Sequence, residues 1–358
     1  MTLDRTKMLT ERTIGVTGLV LAILAPAVFS SFWLNSILTQ ALILGIGAAS
    51  LIFLSAYGGM ISLAQTGLIG IAGYALANMV TKDVPGGETK GLLLGWDPTL
   101  ALIAAVLLTV AIGLVFGAVA SRSYGIYFLM LTLTYTVIAF LFVGSVTLIG
   151  GFSPVAGVDQ YTPGFIGDIA NDRQRLYYIV LITAVFSYLL VRYLVRTPFG
   201  ISLQGIRDDP VRMASLGYNV SLHRTLAFGI GAFLAALSGV LYAWWFGQLS
   251  PTTMGLDATI QLLIIAVIGG LRRIEGAWIG AIAFLTINNE ITNRIPSSGL
   301  PVIGGTFNTV IGFIFLAIVI VSPDGLMGLW DRVWESRRKR ATPADPEAEG
   351  TAPAAVVS

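Results

Sequence analysis

The chain has 358 residues, of which 55% are hydrophobic and only 11% are charged, and its mean hydropathy is +0.82. Soluble globular domains carry roughly 25% charged residues, so this composition excludes an ordinary soluble protein and indicates a chain that lies in a bilayer. The absence of cysteine and the single histidine leave little for a metal site, and the net charge of +2 is too small to indicate a nucleic-acid partner.

Ten apolar segments follow one another along the chain. They cover approximately residues 14–30, 37–55, 60–80, 99–121, 125–149, 176–195, 225–246, 258–271, 276–292 and 303–321. A helix needs about 20 apolar residues to cross the hydrocarbon core, and most segments reach that length. Segment 258–271 is shorter and is open to two interpretations, a half helix or a tilted re-entrant piece. The sequence therefore predicts an all-α integral membrane protein with about ten hydrophobic segments, some of them broken or re-entrant.

The positive charges predict the orientation in the membrane. With the N-terminus placed in the cytoplasm, sixteen of the 21 Lys and Arg residues fall on the cytoplasmic side. The other side holds Lys82, Lys90, Arg173, Arg175 and Arg294. We therefore expect a cytoplasmic N-terminal tail (1–13), a transmembrane domain (14–325), and a cytoplasmic basic helix end with a disordered tail (326–358).

The longest predicted cytoplasmic connection contains the polar stretch "GIRDDPVRMASLGYNVSLHRT", residues 205–225. Asp209 suits a helix N-cap, Pro210 suits the first helical position, and Gly217 suits the left-handed position that ends a helix. The two turns between them are too short to be stable alone in water. Two interpretations stay open: a helix that docks onto a cytoplasmic protein, or a surface loop with an incidental turn.

The run "RTPFGISLQGIRDDPVRMASLGYNVSLHRTLAFGIGAFLAALSGVLYA", residues 196–243, resembles branched-chain amino acid ABC importer permeases of the LivM type. Gly205 departs from their pattern, which usually has Ala there. Four further segments agree in order, at residues 58–77, 125–138, 148–158 and 267–281, so the resemblance covers about residues 15–325. The residues that match the pattern are Arg196, Phe199, Gly200, Leu203, Ile206, Arg207, Asp208, Asp209, Ala214, Leu216 and Gly217.

The resemblance implies one permease subunit of a bacterial cytoplasmic-membrane importer. Its partners would be a second permease of the LivH type, two cytoplasmic ATPases, an extracytoplasmic solute-binding protein and the lipid bilayer. Residues 197–224 would then couple the permease to the ATPases, through Arg207, Asp208, Asp209, Arg212, Ala214, Leu216 and Gly217. The chain has no Gly-rich phosphate loop followed by Lys-Ser/Thr, so we expect ATP to be bound by the partner subunits and no cofactor to be bound here.

Polar residues at membrane depth are the candidates for the substrate pathway. Ser62, Gln65 and Thr66 interrupt an apolar segment in which Gly67, Gly70 and Gly73 recur every third residue. Such a glycine strip either exposes backbone to a solute or lets helices pack closely. A second polar pair, Thr259 and Gln261, could face the same cavity. The predicted pathway residues are Ser62, Gln65, Thr66, Gly70, Thr259 and Gln261.

The turn "GGLRRIEGA", residues 269–277, departs from the resembled pattern, with arginines in place of small residues. These arginines weaken the case that this turn lines the pathway.

Other functions stay open. Related permeases serve urea and short amides, and a secondary transporter or channel acting alone is a second class. The latter generally needs buried ionisable groups, of which the segments contain almost none. A membrane scaffold has only the glycines in its favour. We expect no enzyme, because there is no paired carboxylate and no catalytic His set.

Overall fold

The computed structural model describes residues 17–18, 20–26, 29–30, 32–82, 91–164, 166–167, 169, 172–294, 312, 316 and 325–328. Five helices in this part of the chain are long and apolar enough to cross a membrane. The prediction of an all-helical, multi-pass membrane protein is therefore confirmed, whereas the count of about ten segments is not. The predicted segment 303–321 and both predicted tails lie mostly or wholly outside the described residues.

The described helices are named in chain order. They are α1 (Trp33–Gly58), α2 (Gln65–Val80), α3 (Pro98–Ala120), α4 (Gly125–Ser145), α5 (Arg173–Arg196), α6 (Pro198–Asp208), α7 (Pro210–Ser215), α8 (Val220–Phe246), α9 (Leu256–Gly269) and α10 (Gly276–Arg294). The first part of α1, Trp33–Thr39, is π-helical. Two short strands, β1 (Val155–Ala156) and β2 (Gln248–Leu249), pair antiparallel with Val155 opposite Leu249.

Helices α1 and α8 form the buried centre of the bundle, while α3, α4 and α5 present most of their apolar surface outward. Both central helices are rich in small residues, which lets their backbones approach each other closely. Ser238 of α8 donates a hydrogen bond of 2.8 Å to the carbonyl oxygen of Ile43 in α1. A buried centre and an apolar outer surface are what a bilayer selects, since lipid covers the outward faces.

The helices meet at two ends of the bundle. At one end lie α6, α7 and the α9–α10 turn, and we call it the α6–α7 end. At the other lie β1 and β2, where Asp97 caps α3 by accepting a hydrogen bond of 2.8 Å from Thr99 N–H. That bond lowers the pKa of Asp97 below its ordinary value. The notebook-length segment 258–271 corresponds to α9, which at 14 residues spans only about 21 Å.

Candidate functional site: a broken helix inside the bundle and a coupling surface at its end

The predicted apolar segment 60–80 is not one continuous helix. Helix α1 ends at Gly58, and Gly59 takes the left-handed conformation with φ 65°. An irregular link, Gly59–Ala64, then enters the bundle, where Met60 and Ser62 to Ala64 are buried, before α2 begins at Gln65. We call Gly59–Ala64 the α1–α2 link.

Helix α2 begins well inside the bundle. A side chain at Gly67 would meet Thr136 of α4, and Gly231 of α8 lies against the amide of Gln65. Thr136 and Gly231 each lie eleven residues from the start of their helix at the α6–α7 end, which corresponds to about 16 Å along the helix axis. Since the hydrocarbon core is about 30 Å thick, the N-terminus of α2 lies near mid-depth.

Two threonines of α4 satisfy the irregular backbone of the α1–α2 link. Thr132 Oγ1 accepts a hydrogen bond of 3.1 Å from Leu63 N–H, and Thr136 Oγ1 donates one of 2.8 Å to the Leu63 carbonyl oxygen. Ser62 Oγ accepts a bond of 3.3 Å from Ala64 N–H. Irregular backbone at membrane depth is tolerated only where protein or a cavity covers it, and these hydroxyls meet that requirement.

Gln65 is the exception in this otherwise satisfied region. Its side chain is fully buried, yet neither Oε1 nor Nε2 has a hydrogen-bond partner among the residues that the structure describes. Leaving one buried polar group unpaired costs about 1–3 kcal/mol, so an amide with both atoms unpaired needs an explanation. Thr66 next to it is also buried. The structure therefore brings Ser62, Gln65 and Thr66 together at the start of α2.

The glycines that follow serve as close contacts between helices. A side chain at Gly70 would lie 2.6 Å from Met254 Cβ, and one at Gly73 would lie 3.1 Å from Leu249 and 3.2 Å from the carbonyl oxygen of Gly239. Gly70 is thus covered by Met254 in this structure. Its assignment to the substrate pathway stays a prediction.

Thr259 and Gln261 lie on α9 and are buried and half-buried, respectively. Thr259 donates its hydroxyl proton over 3.0 Å to Gly255 of its own helix. The described contacts do not join either residue to Gln65. The structure therefore does not gather the six predicted pathway residues into one cluster, and three of them meet at the α1–α2 link.

Residues 198–215 form two helices, α6 and α7, where the sequence predicted one. Helix α6 is anchored in the core by Leu203 and Ile206, both fully buried. Helix α7 has the predicted cap: Asp209 accepts a hydrogen bond of 2.9 Å from Arg212 N–H, with Pro210 at the first position. Gly217 is left-handed with φ 91°. The predicted local structure of α7 is confirmed.

Helix α7 buries none of its side chains. Val211 and Leu216 are 75% and 66% exposed, and Ala214 and Arg212 are exposed beside them. A six-residue helix with exposed apolar side chains is not stable by itself in water, and its surface is of the kind that a partner covers. We call Val211, Arg212, Ala214 and Leu216 the α7 surface.

Arg207, at the end of α6, points partly back into the bundle. Its Nη1 donates a hydrogen bond to the carbonyl oxygen of Ala56 in α1, and its Nε donates one of 2.8 Å to the Oδ1 of Asp208. The predicted coupling residues Arg207 and Asp208 are therefore linked to the end of α1. Gly59 packs on the Arg207 stem, and a Cβ there would lie 2.7 Å from Arg207 Cγ.

The α9–α10 turn is also fastened at this end. Glu275 accepts hydrogen bonds from Tyr188 Oη over 3.0 Å and from Arg192 Nη1 over 3.1 Å, both on α5. The sequence singled out this turn only for Arg272 and Arg273. Glu275 instead supplies the described tie to the neighbouring helix.

Sequence reasoning missed Ala56, Thr132 and Thr136. Thr132 and Thr136 could have been found, because two hydroxyls four residues apart lie on one face of an otherwise apolar helix. Nothing in the sequence marks Ala56, which acts through its backbone. In the described part of the chain, no group of three or more His, Cys, Asp or Glu residues could hold a metal ion.

Comparison with known proteins adds relatives to this geometry. The chain is 24% identical over 308 residues to the high-affinity branched-chain amino acid transport system permease protein LivM of Salmonella typhimurium, covering 80% of this chain and 67% of the relative. It is 28% identical to BraD of Pseudomonas aeruginosa (45% and 50% covered) and 27% identical to LivH of Escherichia coli (47% and 51% covered).

The chain thus spans about two thirds of one of these relatives and about half of the other two. A comparison with solved structures finds no match. The family model described as branched-chain amino acid transport system / permease component matches residues 33–321. With its buried link, its exposed α7 surface and this match over most of its length, the chain belongs to the branched-chain amino acid transport permease family.

Proposed function

We propose that this chain is one permease subunit of an ABC importer and forms half of the translocation pathway for branched-chain amino acids. The observation that carries the proposal is the connection from the α7 surface to the interior. An exposed surface helix leads through Arg207 to Ala56 and the end of α1, and from there to a link that enters the bundle. The names of its LivM, BraD and LivH relatives support the substrate class.

The proposed assembly has partners on both sides of the membrane. A second permease of the LivH type would complete the pathway, two ATPases would dock on the α7 surface, and a solute-binding protein would deliver the substrate outside. ATP would be bound and hydrolysed by the ATPases, so the chain would be a transport subunit and not an enzyme. We place it in the bacterial cytoplasmic membrane with both termini in the cytoplasm, in agreement with the distribution of Lys and Arg.

In this mechanism the ATPases supply a force that the permease only transmits. Their closure on ATP moves α7, and α6 moves with it because Leu203 and Ile206 are held in the core. Arg207 then carries the movement to α1, which lies at the centre of the bundle. Six of the predicted residues at this surface would act together: Arg207, Asp208, Asp209, Arg212, Ala214 and Leu216, with Gly217 ending α7.

The test is uptake into vesicles by the whole assembly. The chain, the second permease, the two ATPases and the binding protein are reconstituted together, and uptake of labelled L-leucine is followed with and without ATP. We expect accumulation only when ATP is present on the α7 side. Accumulation by this chain alone on a proton or sodium gradient would overturn the proposal in favour of a secondary transporter, and uptake of urea in place of leucine would correct the substrate.

A further inference from the structure

The fully buried amide of Gln65 lies at the N-terminal end of α2, near mid-depth in the bundle. Its Oε1 and Nε2 have no partner among the described residues. The residue before it, Ala64, supplies no capping side chain, and the first turn of α2 contains no acidic residue. The end of this helix is thus left without the groups that usually satisfy its first N–H donors.

These two features favour the same kind of ligand atom. The N-terminus of a helix carries a partial positive charge and free N–H donors, and it binds anionic groups. The Nε2 of Gln65 adds a side-chain donor directly beside that end. An anion would satisfy the helix end and the buried amide together, whereas the neutral hydroxyls of Ser62, Thr132 and Thr136 are occupied with the backbone of the α1–α2 link.

We propose that Gln65 and the first turn of α2 bind the α-carboxylate of the transported amino acid. This inference rests on the proposed function, and it adds the point at which this subunit recognises its substrate. A carboxylate is the part that all amino acids share, so this site would favour amino acids over urea and simple amides without distinguishing their side chains.

In this structure the site is closed by two neighbours. A side chain built on Gly231 of α8 would lie 3.5 Å from Gln65 Nε2 and 3.1 Å from Leu54 Cδ1, so the three residues meet at one point. Leu54 precedes Ala56 by two residues in α1, and Ala56 is bonded to Arg207. A displacement of α1 that is transmitted through Arg207 would withdraw Leu54 and open the amide to the substrate.

The first experiment replaces Gln65 by leucine in the complete reconstituted importer. Because the amide has no partner, Gln65→Leu removes an unsatisfied group and should leave the thermal stability of the purified complex unchanged or higher. We expect L-leucine uptake to fall about tenfold or more, as when a hydrogen bond to a charged group is lost. The control is Thr109→Val, a fully buried hydroxyl that donates to Ala105 of its own helix. Uptake by Gln65→Leu within about twofold of wild type would overturn the proposal.

The second experiment needs no transport and no stable Gln65 variant. The chain contains no cysteine, so Thr66→Cys places its single thiol beside the proposed site. In the assembled complex, excess L-leucine should slow modification of that thiol by a soluble thiol reagent, whereas L-leucinamide, which lacks the carboxylate, should not. Equal protection by both compounds, or by neither, would contradict the carboxylate site. Absence of ATP-dependent uptake by the wild-type complex would instead contradict the proposed function, which the labelling result leaves separately testable.

Discussion

Arg207 in α6 donates a hydrogen bond from Nη1 to the backbone carbonyl oxygen of Ala56 in α1, across 151 residues of sequence. The acceptor is a backbone atom three residues before Gly59, where α1 gives way to the α1–α2 link. A surface helix at one end of the bundle is thereby joined to the central helix that covers Gln65. The proposed coupling between ATP hydrolysis and the buried site depends on this contact.

Replacing Arg207 should uncouple hydrolysis from transport. In Arg207→Ala the ATPases still dock on the α7 surface, but α1 loses its connection to α6. We expect ATP hydrolysis by the complex to continue while L-leucine uptake falls about tenfold, the effect of losing a hydrogen bond to a charged group. Hydrolysis and uptake are measured on the same vesicles. Arg196→Ala, at the exposed end of α5, is the control and should keep both activities. Unchanged uptake per ATP in Arg207→Ala would show that the contact does not transmit force.

Helix α7 should be required for docking. Asp209→Lys removes the cap on Arg212 N–H and places a positive charge at the helix N-terminus, and Gly217→Pro is incompatible with φ 91°. We expect either change to abolish ATP-dependent uptake while membrane insertion stays normal, measured by uptake and by the amount of chain in the membrane fraction. Asp97→Lys, which removes the equivalent cap of α3 at the opposite end, is the control. Normal coupled uptake in both α7 variants would defeat this assignment.

The α1–α2 link should depend on the two threonines of α4. Thr136→Val leaves the Leu63 carbonyl oxygen unpaired, and Thr132→Val leaves the Leu63 N–H unpaired. Each should lower the free energy of unfolding by about 1–3 kcal/mol, measured by denaturant titration of the detergent-solubilised protein. Thr134→Val on the same helix is the control, because Thr134 is exposed and donates only to Met130 of its own helix. Equal effects at all three positions would mean that the link is not held by these bonds.

Helices α2 and α8 should tolerate no side chain at Gly239. A Cβ there would collide with the backbone carbonyl of Ile69, which cannot move without separating the two helices. We expect Gly239→Ala to lower the free energy of unfolding by about 3 kcal/mol or more. The control on the same helix is Gly229→Ala, whose Cβ would meet the end of the flexible Leu114 side chain, at 2.5 Å from Cδ2. That change should cost about 1 kcal/mol, partly offset by the higher helix propensity of alanine.

Much of the helical layout was predictable because it depends on local composition. Apolar runs of about 20 residues predicted α3, α4, α5 and α8 to within a few residues, and Asp209, Pro210 and Gly217 predicted α7. The hydropathy of segment 60–80 did not reveal its break, because Met60, Leu63 and Ala64 are as apolar in an irregular link as in a helix. The tie from Glu275 to Arg192 was missed for a related reason, since its partners are far apart in the sequence.

By itself the sequence determined that this chain lies in a bilayer, how its spans are spaced, and that a capped polar helix interrupts them, because each of these follows from the hydropathy and backbone preferences of neighbouring residues. Only the tertiary structure decided that Gln65 is buried without a partner, that Thr132 and Thr136 hold the α1–α2 link, and that Arg207 reaches Ala56. Those relationships arise where distant segments meet. A backbone carbonyl or a cavity-facing amide acquires its partners from packing, which no local pattern of residues encodes.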